Sequence, residues 1–244
     1  MHALSAAELL DLWDDGAGQA PLHRALGLLS AVYPEMSLQS LADLTIGERD
    51  ARLLRLREAL FGPQMSSVLT CPACRERLDL KLDVGEILAA SRPEQPSELS
   101  ADIAGYSVTF RLPTSLDLLA AASQADAETA RSLVFQRCLL SARTEPDDPE
   151  HGPLPAEVVS GVVQRMGEAD PLADIQLRVT CPSCAQTWRA VFDIVTFLWT
   201  EIEAWAARIA SDVHILASAY GWNERDILAL SPARRQLYLD KVGA

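Results

Sequence analysis

Apolar residues recur at helical spacing over most of this chain, with two stretches where the period falls to two. Ser5 and Glu8 stand at capping-box separation and open a short helix through Leu9, Leu10 and Trp13. After a glycine-rich break at 15–18, Pro21 suits the first turn of a helix carrying Leu22, Leu26 and Leu29 that ends before Pro34. Thr45 and Glu48 form a second capping-box match. The run GERDARLLRLREALFG then predicts a helix with Ile46, Leu53, Leu56, Leu60 and Phe61 inward and Arg49, Arg52, Arg55 and Arg57 on a solvated face, stopped by Gly62 and Pro63.

From Ser67 the alternation changes. Leu78, Leu80 and Leu82 interleave with Asp79, Lys81 and Asp83, which predicts a strand with one wet face. Residues 91–102 read as a polar loop, Tyr106, Val108 and Phe110 as a strand, and Thr114 or Ser115 as the cap of a following helix. A longer helix is expected at 127–142, an acidic, proline-rich surface loop at 144–153, and another helix at 155–167. The two-residue period returns through Ile175, Leu177 and Val179, then through Trp188, Ala190 and Phe192. Last comes one unbroken apolar stripe, Ile194, Leu198, Ile202, Trp205, Ile209, Val213, Leu216 and Tyr220, at spacings of three and four over a long helix that Gly221 ends. Asn223 can cap the next short helix, and Ser231 with Pro232 can cap the final one.

The 244 residues, 49% of them hydrophobic, suffice for a sizeable core, so disorder and a disulfide-stapled miniprotein are both excluded. A net charge of −13 without a basic stripe argues against nucleic acid as a partner. Glu201, Glu203, Arg208 and Asp212 interrupt the longest apolar segment, so no membrane span is expected, and the acids of MHALSAAELLDLWDD stand where a signal peptide needs positive charge. The expected location is the cytoplasm, where paired cysteines are more often metal ligands than disulfides.

Four of the five cysteines lie in two closely similar settings, TCPACRERLDLKLDV and TCPSCAQTWRAVFDI. Superposing Thr70 on Thr180 places Leu78 on Trp188, Leu82 on Phe192 and Asp83 on Asp193, so the repeat covers both the thiols and the strand that follows. Two Cys-x-x-Cys turns meeting face to face would supply a tetrahedral shell of Cys71, Cys74, Cys181 and Cys184 for one structural Zn²⁺ per chain. The rivals are a redox dithiol, which needs a helix directly after the first cysteine, and plain buried thiols. Neither pair leads into a helix, and zinc is favoured. Closing the long loop between the pairs costs on the order of 4 kcal/mol plus a constant, against roughly 10–16 kcal/mol from a four-thiolate zinc site, provided that the intervening segment folds by itself. Cys138 reads as a core residue.

The expected architecture is therefore α+β and predominantly helical, a split zinc-ribbon-like pair of knuckles packed on the long C-terminal helix. Its segments are 1–63 (helical), 64–90 with 172–193 (the split module), 91–171 (an inserted strand-plus-helices subdomain) and 194–244 (the long helix and helical tail). No enzyme is indicated. His2, His23, His151 and His214 lack metal-pair spacing, His214 is expected to make a structural hydrogen bond, and Asp14, Asp15, Asp147 and Asp148 lie in loops. Phosphate-loop, HExxH and nucleophile-elbow motifs are missing. The C-terminal segment combines Tyr220, Trp222 and Tyr238 with Arg225, Arg234 and Arg235, residue types enriched at protein–protein hot spots, although the same aromatics can simply pack the short helices onto the long one.

Taken in order, IGERDARLLRLREALFG, CPAC, FRLPTSLDL, CPSC, FLWTEI and VHILASAYGWNERDILALSPARRQLYL resemble a family of baseplate-related proteins encoded with contractile phage tails and phage-tail-like contractile injection systems. The likeness runs from about Ile46 to Val242. It implies a small accessory protein for building the baseplate or its hub, partnered by baseplate or tail subunits and either retained in the particle or acting as an assembly chaperone. A zinc-ribbon adaptor in nucleic-acid or transcription complexes is the alternative.

Overall fold

Capping chemistry sets most of the helix starts. In chain order the elements are α1 (Ala6–Gly16), α2 (Pro21–Val32), α3 (Leu38–Ala42), α4 (Ile46–Phe61), β1 (Gln64–Thr70), β2 (Arg77–Asp83), α5 (Val84–Leu88), β3 (Leu99–Ile103), β4 (Tyr106–Phe110), α6 (Ser115–Ala121), α7 (Ala127–Cys138), β5 (Leu139–Arg143), α8 (Ala156–Ala169), a 3₁₀ turn (Pro171–Ala173), β6 (Ile175–Thr180), β7 (Thr187–Phe192), α9 (Ile194–Tyr220), α10 (Glu224–Leu228) and α11 (Pro232–Val242). This computed structural model describes residues 1–91, 96–144 and 154–243. His151, Asp147, Asp148 and almost all of the acidic loop lie outside the described residues. Reciprocal capping boxes join Ser5 to Glu8 at α1 and Thr45 to Glu48 at α4, while Asn223 and Ser231 cap α10 and α11 through their side chains.

Contacts divide the chain into two compact units, residues 38–193 and residues 1–37 with 194–244. In the first, β1 and β2 form one antiparallel hairpin, β6 and β7 another, and β3, β4 and β5 a three-stranded antiparallel sheet. Val108 and Phe110 from β4, Ala142 from β5 and Val158 and Val162 from α8 are buried together, with Leu99, Ile103, Phe135 and Met166 around them. Gly161 lets α8 lie close on the sheet, since a Cβ there would come within 2.6 Å of Ile103 Cγ2.

Several expectations need correction here. Asp14 and Asp15 lie inside α1, which runs on to Gly16, and not in a loop. Residues 99–102 belong to β3, because Leu99, Ala101 and Ile103 alternate inward even though their neighbours are polar, and β4 supplies the ladder. The helix expected to reach 142 ends at Cys138. Leu139 turns extended, the Cys138 carbonyl accepts the Arg111 amide, and Thr109 pairs with Ser141 around a bulge, so the free edge of β4 outweighs the helical propensity of leucine and alanine. On α4, Arg49 and Arg57 are buried and not part of a solvated face. Arg49 donates to Asp50 at 2.7 Å and to Ser115 Oγ at 3.4 Å, and Arg57 donates to the Gly62 carbonyl at 2.6 Å, so both guanidiniums satisfy groups that the fold buries.

The second unit is wholly helical. The α9 stripe buries Ile194, Leu198, Ile202, Ile209 and Leu216, while Tyr220 at its end is exposed. Gly16 closes α1 directly against the Trp199 ring, where any Cβ would collide with the indole. Trp199 Nε1 donates to Glu203 at 2.7 Å and the Arg24 guanidinium lies 4.5 Å from its ring centroid, while Arg24 Nε donates to the Gly16 carbonyl at 3.0 Å. His214 points outward and has no hydrogen-bond partner among the described residues, so the structural bond expected of it does not form.

Candidate metal centre

Both cysteine pairs sit at the tips of antiparallel hairpins built alike. Thr70 faces Arg77 across the first and Thr180 faces Thr187 across the second, the same register seen from the two halves of the repeat. At each tip the amide of the first cysteine donates to a carbonyl five residues on (Cys71 to Glu76, Cys181 to Gln186, 2.8 Å each), and the first cysteine's carbonyl accepts the amide of Arg75 or Ala185. Those two residues take left-handed φ angles of 67° and 60°, the reversal that returns the chain into β2 or β7. Equivalent turns aim equivalent sulfurs.

The four sulfurs of Cys71, Cys74, Cys181 and Cys184 lie within 4.8 Å of one another. Cys71 and Cys184 are 3.7 Å apart and Cys74 and Cys181 3.6 Å, too long for a disulfide, which needs about 2.05 Å. A tetrahedral ion with metal–sulfur bonds of about 2.3 Å has edges of roughly 3.8 Å. The set can therefore hold a metal ion. Cys71 and Cys181, the first of each pair, are buried, and Cys74 and Cys184 face solvent. Cys138, the fifth cysteine, is fully buried and distant in role, its thiol pushed up to about 11 by burial and by the Asp117 carboxylate.

Electrostatics at the tips support a cation. The Cys74 and Ala73 amides point at the Cys71 sulfur and bring its thiol down to about 7. At Cys74 the Glu76 amide favours the thiolate, but the crowding sulfurs of Cys184, Cys181 and Cys71, together with desolvation, push that thiol up to about 12. Cys184 is likewise raised, although the Gln186 amide favours its thiolate. Four thiolates at this spacing repel each other unless a positive ion joins them, and backbone amides already turned to the sulfurs are the arrangement such an ion uses.

The remaining sequence candidates lie in the helical unit. Tyr220 stacks on Trp222 (centroids 4.8 Å apart, planes at 21°), and Tyr238 meets Trp222 edge-on at 4.9 Å. Arg225 and Arg234 are exposed. Arg235 is buried, donates from Nε to Asp212 at 3.1 Å and has an Nη1 with no partner among the described residues.

A polar hub in the 38–193 unit escaped the sequence. Asp117, fully buried, receives Arg111 in a fork at 2.6 and 2.8 Å, Arg137 Nε at 2.7 Å and the Thr114 amide at 2.9 Å. Burial alone would raise its carboxyl, but these donors outweigh it and hold the group well below the usual carboxylate range. The hub ties α6 to α7 and to the segment just after β4. Only its Thr114 cap was marked in the sequence; Arg111 and Arg137 lie on separate segments and no pattern joined them to Asp117.

The family model described as T4 bacteriophage base plate protein matches residues 28–148, close to half of the chain. The match includes the first cysteine pair and stops before the second pair and the C-terminal AYGWNERDILALSPARR segment. No curated protein and no solved structure matches the chain.

Proposed function

For a chain that belongs with the phage baseplate-related proteins, we propose a non-enzymatic, zinc-stabilised accessory role in assembling the baseplate or hub of a contractile tail-like particle. The convergence of four sulfurs from two distant hairpins carries this reading. Cys71, Cys74, Cys181 and Cys184 hold one zinc ion as thiolates, in a zinc-ribbon-like clamp. Bound there, zinc supplies structural cross-linking. A shell closed by four protein sulfurs has no place for water or substrate, so this chain's residues do no chemistry on the ion.

Function then passes to surfaces. The C-terminal segment carries the exposed Arg225 and Arg234 and a cluster of the Tyr220, Trp222 and Tyr238 rings, and the net charge of −13 suits partners with basic patches. The protein works as an assembly chaperone or as a minor component of the particle. No helix among the described residues is long and apolar enough to cross a membrane.

Metal analysis of the purified chain is expected to give one zinc per molecule, and a metal-free protein with an intact fold would defeat the clamp. Pull-downs with the wild-type chain should recover baseplate subunits. Replacing the exposed Arg225 and Arg234 by glutamate should reduce that recovery about tenfold or more, and unchanged recovery would remove the C-terminal helices from the docking role. Mass spectrometry of assembled particles beside cell extract distinguishes a retained component from a chaperone.

A further inference from the structure

The 38–193 unit also carries an apolar groove of about 1030 Å³ that neither the metal centre nor the C-terminal helices use. Leu82 and Leu177 bring the bases of the two hairpins to it, and Ile87, Phe135, Val163 and Met166 come from α5, α7 and α8. Val163 is 53% exposed, one residue from the fully buried Val162. So α8 is apolar on two sides, one packed on the sheet and one left open, which is more than a solvated helix needs.

The rim has a sign. Asp83, Glu86 and Asp174 stand along the groove against Arg131 and Arg189. The Asp83 carboxylate is met by the Gly85 and Glu86 amides and by Gln64 Nε2, and that of Asp174 by Gln176 Nε2, all neutral donors that leave the negative charge in place. Arg189 is itself directed to Gln176 Oε1 at 3.2 Å. Apolar walls made of helix side chains and strand ends, bordered by three acids against two arginines and so acidic on balance, match a helix with one apolar face and lysine or arginine along its flank.

We propose that this groove receives a basic amphipathic helix of a baseplate subunit, its apolar side chains against Phe135, Val163 and Met166 and its cationic side chains opposite Asp83, Glu86 and Asp174. The inference rests on the docking role proposed above and adds to it a second face and the chemistry of the partner segment.

A photo-crosslinking amino acid at Val163 of the full chain, co-expressed with the complete set of baseplate proteins, tests it. A second chain carries the probe at Leu237, exposed on α11. The Val163 probe is expected to join one segment of a baseplate subunit, with apolar residues at helical spacing and lysine or arginine beside them. Glu86→Lys with Asp174→Lys should cut the yield about fivefold or more, with circular dichroism and melting confirming that the variants fold. Should the Val163 chain fail to fold, a probe at the exposed Glu86 takes its place, with Asp174→Lys alone as the charge variant. Crosslinking to a second copy of this chain, to a segment without basic residues, or at a yield that ignores the charge reversals overturns the proposal. If the groove probe captures no protein while the Leu237 probe captures a baseplate subunit, the groove inference falls and the docking role stands. If neither probe captures one, both fall.

Discussion

The two cysteine hairpins and the three-stranded sheet belong to one compact unit and are held by different means. In the sheet, β4 buries Val108 and Phe110 under α8, with further apolar residues around them. The hairpins bury less: Met65 is the one fully buried side chain of β1 and β2 and Val179 the one of β6 and β7, the other inward positions being half-buried. An isolated two-stranded hairpin is marginal in water, whereas three strands under a helix are not. In the proposed zinc clamp, cross-linking does for the hairpins what burial does for the sheet, and the four sulfurs that could hold a metal ion lie at the hairpin tips.

The strongest way to break this comparison is at the sulfurs. Cys181→Ser, or a zinc chelator, should lower the melting temperature by on the order of 10 °C or more, and hydrogen exchange should accelerate in β1, β2, β6 and β7 before β3, β4 and β5. Equal acceleration in both regions would show that they share one source of stability.

Next in size is Asp117. Replacing it with asparagine should cost about 2–3 kcal/mol, less than a fully buried pair because Arg111 and Arg137 are partly exposed. The sign with pH follows from its depressed carboxyl. Its contribution is complete above the ordinary aspartate range and is lost as pH falls toward the lower folded value, so wild-type stability should decline in acid more steeply than that of Asp117→Asn. Parallel acid titrations followed by circular dichroism decide this.

Smaller still, Gly161→Val should cost roughly 1–3 kcal/mol by pressing on Ile103, and should leave zinc content unchanged. Gly16→Ala should cost a similar amount by displacing Trp199, visible as altered tryptophan fluorescence. A change in metal stoichiometry in Gly161→Val would show that sheet and hairpins are not held independently.

The sequence made the hairpins legible because two signals coincided, the Cys-x-x-Cys turn and the alternation of Leu78, Leu80 and Leu82, and because each recurred in the second copy. The capped helices were equally plain at Ser5, Thr45, Asn223 and Ser231. β3 and β5 were not, since one has strand alternation in a polar composition and the other has helix-forming residues drawn to a strand edge. Arg49 and Arg57 looked like surface because a sequence counts charges and does not show the Ser115 hydroxyl or the Gly62 carbonyl that receives them. For the candidate site, the ligand identities were readable. The burial of Cys71 and Cys181 against the exposure of Cys74 and Cys184 was not, nor was the groove, whose walls come from elements spread between Ile46 and Arg189.

The position of the clamp bears on how the chain carries load. When an ion joins the four sulfurs, tension applied before Cys71 and after Cys184 travels through metal–sulfur bonds, and the polypeptide from 75 to 180 is bypassed. Force delivered at the hairpins themselves would then largely bypass the sheet, α8 and the Asp117 hub, and would load the ion before the packed interior.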